Sequence, residues 1–480
     1  MVRSTKSCRR QIIFLCIPPY NIIVKKNIFV ILLLIGLSCF CVGCSAIGVE
    51  YEGVLPTYSI SATLDTQTMT LDGEVTLTYT YNGENTLSHL VFAVYPNAES
   101  RNTEIIGVSA DGKQIGFSEL KDGSFLEIPL PRELFPQEKI DVSINYRLKI
   151  PNSSGILGYT ESETKLSGWY PVLCAMEQDE WVEQTLSGYG DRYFSDVADY
   201  EVRLTVQKDE IVASSGKRVG VINSGDKVTY TYSGKNVRDF AFCVSRDYVC
   251  VSGVSGVTLV NVYAYNNESA ESVLRYAKQA LNFFGERFGV IERDTFSVAL
   301  CGLDAGGMEF SGIVYINKDL KDRELEEVVV HETAHQWWYG GVGSNPTEYA
   351  WLDEGLTEYS VLEYVGEYYG VLERSQKVND TYSLYESFHS VAQGVGVDCG
   401  MTQNTAKFNS LYHYVIVTYT KGALFFENLR EITGNTAFKK ALKTYYQTFK
   451  HKKATPDDLK STLQDVVGKI NYTPIFDYWE

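Results

Sequence analysis

The sequence predicts two folded domains behind a short leader: an all-β domain, and then an α+β domain that becomes largely helical towards the C-terminus. Three observations support this fold class. The chain has 480 residues, which is too long for a single compact core. From about residue 51 to 250, apolar and polar residues alternate with period two, which is typical of strands. Beyond about residue 260, apolar residues recur at helical spacing.

The first domain, residues 51–254, is predicted to be a succession of half-buried strands. Residues 58–64 and 74–81 alternate apolar and polar side chains, so each strand would bury one face and expose the other. The dipeptides Asp72-Gly73 and Asn82-Gly83 are turn signals that separate such runs. No group of residues in this domain suggests catalysis.

The second domain, residues 255–480, is predicted to mix helices with short strands. Its first elements are a helix, two strands and a long helix, over residues 269–288, 296–300, 313–316 and 323–339. From Trp351 onward the chain is predicted to be mostly helical. Thr455-Pro456-Asp457-Asp458 marks a helix start, because it supplies a capping threonine, a proline in the first turn and acids at the positive end.

Charge limits the possible partners. The formal net charge is -17. The first 44 residues contain six Lys or Arg and no Asp or Glu, so the remainder is more acidic still. Such a surface repels phosphate backbones, which argues against nucleic-acid binding. The simplest interpretation is an acidic coat that keeps the protein soluble.

Residues 1–44 have the composition of a secretory leader. Two lysines precede an apolar run over residues 28–37, and small residues follow. The ending Val42-Gly43-Cys44 resembles the lipobox of bacterial lipoproteins, although Cys41 stands where that pattern usually has Leu. This resemblance predicts an extracytoplasmic protein held at the cell-membrane surface by a lipid on Cys44. An uncleaved membrane anchor and an ordinary signal cut nearby are the alternatives.

A metal site is predicted in the helix over residues 323–339. His331 and His335 lie four residues apart in a His-Glu-x-x-His motif, so both imidazoles point the same way from a helix and can bind one ion. Glu332 is turned aside and reaches the attacking water rather than the metal. Catalytic zinc takes three protein ligands and keeps a fourth position open. Glu354, eighteen residues beyond His335 in Trp-Leu-Asp-Glu-Gly, is the predicted third ligand.

This set of residues predicts peptide-bond hydrolysis. Zinc would polarise the scissile carbonyl and lower the pKa of water. Glu332 would accept the proton of that water and pass it to the leaving amine. The tetrahedral oxyanion would need a donor besides the metal. The alternative is a pair of helical histidines that pack or cap without binding a metal.

The metal motif resembles that of the gluzincin zinc aminopeptidases, the relatives of aminopeptidase N and leukotriene hydrolase. A second signature of that family, Gly-x-Met-Glu-Asn, has a counterpart in Gly306-Gly307-Met308-Glu309-Phe310. The resemblance implies that Glu309 binds the free amine of the substrate, and that Met308 and Gly307 also bind the substrate. A buried structural carboxylate is the alternative interpretation of Glu309.

The same family supplies a tyrosine that stabilises the oxyanion, within a Tyr-x-Lys-Gly-Ala segment. Tyr419 stands in such a segment here, and Tyr412 and Tyr414 are nearby alternatives that lack the Lys-Gly-Ala context. Two departures from the family pattern stand out. Phe310 replaces the signature Asn, and no second amine-binding acid is evident in the β domain, where residues 168–173 stand near its expected place.

The resemblance spans about residues 55–480 and implies a β domain packed on a thermolysin-like catalytic domain. The resemblance stops short of the large C-terminal helical domain of full-length members. A chain without that domain is expected to have a cleft open to longer peptides. The sequence therefore predicts a zinc metallopeptidase with one Zn²⁺ that acts on peptides, first as an aminopeptidase. An open-cleft endopeptidase and an inactive surface binding protein on the same fold are the alternatives. The sequence predicts no oligomeric state.

Overall fold

The computed structural model describes four stretches of the chain, residues 54–98, 100–184, 189–191 and 193–479. The leader predicted over residues 1–44 and the lipid anchor predicted at Cys44 lie outside these stretches. Residues 51–480 form one compact unit, so the domain boundary after residue 254 stays a prediction. Within the described stretches, no helix combines the length and the apolar character that crossing a membrane requires.

The first half of the described chain forms eighteen strands. The first nine are β1 (Thr57–Asp65), β2 (Thr70–Thr80), β3 (Leu87–Ala93), β4 (Thr103–Ala110), β5 (Lys113–Ile115), β6 (Ser118–Leu120), β7 (Phe125–Leu134), β8 (Lys139–Lys149) and β9 (Gly158–Tyr159). The next nine are β10 (Thr164–Leu166), β11 (Val172–Leu173), β12 (Met176–Glu177), β13 (Glu180–Trp181), β14 (Ala198–Gln207), β15 (Ile211–Ser214), β16 (Lys217–Ser224), β17 (Lys227–Val237) and β18 (Phe242–Ser245).

These strands form three sheets and a hairpin. The largest sheet has the order β16-β17-β14-β1-β2-β8-β4-β5, and β1 and β14 run parallel in it. Two four-stranded sheets have the orders β15-β18-β10-β9 and β11-β3-β7-β6, and β12 pairs with β13. Along β1, Tyr58, Ile60, Ala62 and Leu64 are buried while the residues between them face outward. The predicted period-two burial is therefore confirmed for this strand.

The turn predicted at Asp72-Gly73 is wrong. Both residues lie inside β2, where Gly73 pairs with Tyr146 of β8. A Cβ on Gly73 would lie 2.4 Å from the Tyr146 ring, so the glycine makes room for a buried aromatic side chain. The turn between β1 and β2 is formed by residues 66–69.

The second half combines one mixed sheet with helices. Its strands are β19 (Val249–Ser255), β20 (Thr258–Ala264), β21 (Thr295–Cys301), β22 (Gly307–Phe310) and β23 (Ile313–Asn317). The helices are α1 (Asn267–Phe288), α2 (Asp322–Trp338), α3 (Ala350–Tyr368), α4 (Val371–Val395), α5 (Leu411–Val415), α6 (Gly422–Thr433), α7 (Asn435–Phe449), α8 (Pro456–Val467) and α9 (Thr473–Trp479). A π-helical segment, Ile416–Lys421, joins α5 to α6.

The mixed sheet has the order β19-β20-β21-β23-β22. Strands β20, β21 and β23 run parallel, and β22 is an antiparallel edge strand. The helices predicted over 269–288 and 323–339 are confirmed to within two residues as α1 and α2. Thr455 caps α8, and its hydroxyl and the Asp458 carboxylate form a reciprocal capping box.

One apolar core joins the mixed sheet to its helices. Phe284 of α1 meets Trp337 of α2 edge to face, with 5.6 Å between ring centroids. This contact packs α2 against α1, and α2 also contacts the edge strand β22, where Gly307 lies beside Glu332. The predicted fold class, an all-β domain followed by an α+β domain with a helical C-terminal part, is confirmed.

Candidate active site

Three side chains from two helices meet at one point. His331 and His335 of α2 bring their Nε2 atoms within 3.1 Å of each other. The Oε2 atom of Glu354, from α3, lies 3.5 Å from His331 Nε2 and 3.3 Å from His335 Nε2. Metal–ligand distances of about 2.0–2.2 Å place neighbouring tetrahedral ligands about 3.3–3.6 Å apart. The three atoms therefore have close to the spacing of three ligands on one metal ion.

The Nδ1 atom of each imidazole is hydrogen-bonded to a carboxylate. His331 Nδ1 lies 2.9 Å from Glu358 Oε1, and His335 Nδ1 lies 2.7 Å from Asp353 Oδ1. Donation from each Nδ1–H to its carboxylate leaves both Nε2 lone pairs directed inward. Two lone pairs and a carboxylate oxygen that face one another form a donor set for a cation. In the part of the chain described here, Glu354 Oε2 is buried without a hydrogen-bond partner.

This donor set fits zinc. Two imidazole nitrogens and one carboxylate oxygen are ligands that catalytic zinc sites use, with a further position left for water or substrate. His335 is almost fully buried, whereas the His331 side chain keeps 13% of its surface exposed. The group is thus reachable from one side. The structure brings together the three residues predicted as ligands.

Glu332 stands beside these three residues without joining them. It lies with Glu309 and His335 in a second group whose polar atoms are within 4.8 Å of one another. Gly307 of β22 leaves space for it, since a Cβ there would lie 2.4 Å from Glu332 Oε1. Gly307 was predicted to bind substrate, and the structure gives it this steric role. Substrate contact by Gly307 stays a prediction.

The Glu332 carboxyl is in an environment suited to proton transfer. Burial raises the pKa of Glu332 to about 7, against the opposing charges of His331 and His335. A general base works best with a pKa close to the pH at which the enzyme operates. Its Oε2 atom has no hydrogen-bond partner within the described stretches.

Glu309 lies on the edge strand β22 and faces the same point. It is 5% exposed. Burial raises the pKa of Glu309 well above its usual value; the charge of His335 opposes this shift, and the carboxylates of Glu354, Glu332 and Asp191 add to it. A carboxyl held among other acids, away from water, binds a cationic group strongly. Asp191 comes from the β-rich half, and no sequence motif marks it.

Tyr419 reaches the site from the π-helical segment. Its hydroxyl donates to Glu354 Oε1 at 2.5 Å, and its ring stacks on His331 with 5.9 Å between centroids. Burial, then the charge of Glu354, raises the pKa of Tyr419 well above its usual value, so the hydroxyl keeps its proton at neutral pH. π-Helical turns are frequent at functional sites.

A close helix crossing brings Glu354 and Tyr419 together. A Cβ on Gly355 of α3 would lie 2.9 Å from the Cα of Gly422, the first residue of α6. The two backbones therefore touch at two glycines, each one to three residues from a site residue. This contact explains why glycine follows both Glu354 and the Tyr-x-Lys sequence.

Several residues near the site were missed or differently interpreted from the sequence. Tyr414 is buried, and its hydroxyl has no hydrogen-bond partner within the described stretches; its ring meets that of Tyr419 at 5.9 Å. Phe310 is a core residue that packs edge to face on Tyr315 at 4.9 Å. Trp169, in the stretch considered for the second acid, is fully buried in the β core.

Asp353 and Glu358 flank Glu354 in sequence, but no sequence pattern shows that they hydrogen-bond to the histidines.

The site lies within a region shared with known proteins. A model of the peptidase family M1 domain matches residues 272–479. The match includes the predicted metal ligands, Glu332, Glu309 and Tyr419. The β-rich half lies outside it.

Relatives with longer chains match parts of this one. Aminopeptidase N of Lactobacillus helveticus is 23% identical over 422 residues, which are 82% of this chain and 48% of that protein. Aminopeptidase N of Lactobacillus delbrueckii subsp. lactis is 28% identical over 242 residues, 46% of this chain and 28% of that protein. The chain thus matches less than half the length of these relatives.

A solved structure shares the fold of most of this chain. The M1 zinc metallopeptidase of Deinococcus radiodurans superposes with a TM-score of 0.69 at 18% identity. The superposition covers 89% of this chain and 94% of that chain. The two chains therefore share one fold over most of their length.

Proposed function

We propose that this chain is a zinc aminopeptidase, which hydrolyses the N-terminal peptide bond of peptides. The observation that carries the proposal is the position of Glu309. Its buried carboxylate lies within 4.8 Å of the polar atoms of Glu332 and His335, next to the metal-ligand triangle. An ammonium group bound to Glu309 would place the first peptide bond of a substrate beside that triangle. Relatives named aminopeptidase N support this assignment.

The residues of this chain divide the reaction between them. His331, His335 and Glu354 would hold one zinc ion, which when bound supplies a Lewis acid for the carbonyl and lowers the pKa of water. Glu332 accepts a proton from the attacking water and delivers it to the leaving amine nitrogen. Tyr419 donates its hydroxyl hydrogen to the oxyanion that develops on the carbonyl oxygen.

Substrate orientation depends on the edge strand. The outer side of β22 is not paired with any described strand, so it offers backbone groups to an extended peptide. Glu309 on that strand would receive the ammonium, and Asp191 would add a second negative charge from the β-rich half. Met308 directly precedes Glu309 on the same strand. A peptide docked in this way presents its first carbonyl to Glu332 and Tyr419.

One peptide in two forms tests the aminopeptidase assignment. The free peptide should lose residues one at a time from its N-terminus, whereas the N-acetylated form should stay intact, because acetylation removes the cation that Glu309 binds. Products are followed by mass. Internal cleavage of the acetylated form would contradict the proposal and favour an endopeptidase. Absence of any cleavage from the zinc-loaded protein would favour the binding-protein alternative.

The Glu309→Gln variant sharpens this test. It should raise KM for the free peptide and lower kcat/KM by about 10²-fold or more, since a charge-assisted contact to the substrate is lost. Glu324→Gln, on the exposed first turn of α2, is the matched control and should behave as the unmodified protein. An unchanged KM and kcat/KM in Glu309→Gln would contradict amine binding by Glu309.

We propose further that the protein works outside the cytoplasm and is anchored through a lipid on Cys44. The support is the Val42-Gly43-Cys44 ending of an apolar leader. Cells that express the chain and are fed a labelled fatty acid should yield labelled protein, and Cys44→Ser should abolish the label. Label retained in Cys44→Ser, or absent from the unmodified chain, would contradict the anchor.

A further inference from the structure

The side-chain amide of Gln336 joins helix α2 to the turn that follows the edge strand β22. Its Nε2 donates to the carbonyl oxygen of Phe310 at 3.0 Å, and its Oε1 accepts from the backbone N–H of Gly312 at 2.9 Å. Gln336 is 1% exposed, so both bonds lie away from solvent. One side chain on α2 therefore holds both sides of the turn between β22 and β23.

This contact lies one residue away from two functional groups. Gln336 directly follows His335, a predicted metal ligand. Phe310 directly follows Glu309, which would bind the substrate amine. One polar atom from each of Glu309, Glu332 and His335 lies within 4.8 Å of the other two. The Gln336 amide thus connects the strand that carries the amine site directly to the helix that carries two of the metal ligands.

A second contact holds the same turn from the β-rich half. The Asp239 carboxylate accepts the backbone N–H of Ser311 at 3.1 Å. The same carboxylate accepts the hydroxyl of Tyr339, the residue after α2, at 2.7 Å. Asp239 therefore ties the turn to the end of α2 through a residue of another part of the chain, whereas Gln336 makes the connection directly.

We infer that Gln336 is a positioning residue, which fixes the distance between the amine site at Glu309 and the metal-ligand triangle. The inference rests on the proposed aminopeptidase function. An aminopeptidase must hold the ammonium and the first carbonyl of its substrate at the same time, and a misplacement of about 1 Å can cost about 10²-fold in rate. Two contacts to one ligand reinforce each other only when the ligand reaches both together. Gln336 keeps both within reach because it holds β22 on α2.

Replacement of Gln336 by Met keeps a side chain of similar length but removes both hydrogen bonds. The Phe310 carbonyl and the Gly312 N–H would then lack their partner, and buried backbone groups left unpaired are costly. The turn is therefore expected to move and to shift β22 relative to α2. Glu309 and the metal ligands would keep their own chemistry. A ligand that needs only one of the two sites should bind as before, and a ligand that needs both should bind more weakly.

Two ligands measure this coupling. Leucine hydroxamate offers an ammonium and a zinc-chelating group, and 4-methylpentanohydroxamic acid lacks only the ammonium. Titration calorimetry on the zinc-loaded protein gives both Kd values, and their ratio reports how much the amine contact adds. The ratio should be about 10²-fold or more in the unmodified protein. In Gln336→Met it should fall by about 10-fold or more, with the zinc content and the Kd of the ligand without an ammonium unchanged.

A matched variant controls for the loss of a buried amide. Gln403 is 7% exposed, and its Nε2 donates to the carbonyl oxygen of Gly400 in the segment between α4 and α5. Gln403→Met should leave the ratio unchanged. An unchanged ratio in Gln336→Met would overturn the positioning role and leave the aminopeptidase assignment standing. Equal Kd values for the two ligands in the unmodified protein would contradict amine binding by Glu309 and overturn both.

Gln336→Asn decides the question if Gln336→Met does not fold. Its amide is one methylene shorter, so it cannot span both backbone groups unless the turn moves, and the ratio should again fall. A fraction of unfolded protein changes the stoichiometry of the titration but not the ratio of the two Kd values. Folded, zinc-loaded Gln336→Asn with the ratio of the unmodified protein would overturn the inference.

Discussion

Replacement of Glu332 by Gln is expected to lower kcat by about 10²–10⁴-fold while zinc binding is retained. The amide cannot accept a proton from water, and Glu332 contributes none of the three atoms that form the ligand triangle. The change should leave the fold intact, because Oε2 of Glu332 has no hydrogen-bond partner in the described part of the chain. Peptide hydrolysis, zinc content and melting temperature are measured on the same preparation.

Glu324→Gln controls for the loss of one negative charge on the same helix. It is exposed on the first turn of α2 and should keep full activity. A Glu332→Gln variant with zinc bound and activity within threefold of the unmodified protein would rule out Glu332 as the general base. Loss of zinc from that variant would instead place Glu332 among the metal ligands.

Removal of the metal is expected to abolish hydrolysis and to lower the melting temperature. Without a cation, the inward lone pairs of His331 and His335 face the Glu354 carboxylate and each other at 3.1–3.5 Å. A metal bound to the folded state at a hundredfold excess over its Kd stabilises that state by about 2.7 kcal/mol. Dialysis against a chelator, followed by readdition of zinc, should remove and then restore both activity and stability.

The Glu354→Gln variant provides a genetic form of the same test. It should bind zinc more weakly and lose activity, since a neutral amide oxygen replaces a carboxylate ligand. Glu367→Gln, on the exposed end of the same helix and 58% exposed at the side chain, should match the unmodified protein. Full activity in a preparation shown to be free of metal would contradict the proposed role of the triangle.

The approach of His331 to His335 could be predicted because the information for it is local. His331 and His335 share a helix face through their spacing alone, and α2 is observed over Asp322–Trp338. Glu354 required a motif, since no spacing rule shows that α3 crosses α2 at that residue. Asp353 and Glu358 supply the two carboxylates that orient the imidazoles. These contacts depend on how α2 and α3 cross, which the sequence does not show.

The remainder depends on contacts between distant parts of the chain. Gly73 has the sequence signature of a turn, yet it lies in a strand because the Tyr146 ring needs its space. One cavity of about 340 Å³ is lined by Tyr95, Ile156, Tyr193 and Met308, which are separated by tens to hundreds of residues. The periodicity of one segment does not predict which distant loops will contact one another. The proximity of Asp191 to Glu309 could not be predicted for the same reason.

Anomalous diffraction at the zinc absorption edge, from crystals of the purified protein grown with zinc, tests the metal assignment most directly. One strong peak is expected within about 2.0–2.2 Å of His331 Nε2, His335 Nε2 and a carboxylate oxygen of Glu354. A peak bound by other residues, or the absence of a peak at these three atoms in fully active protein, would contradict the proposed zinc centre and the mechanism built on it.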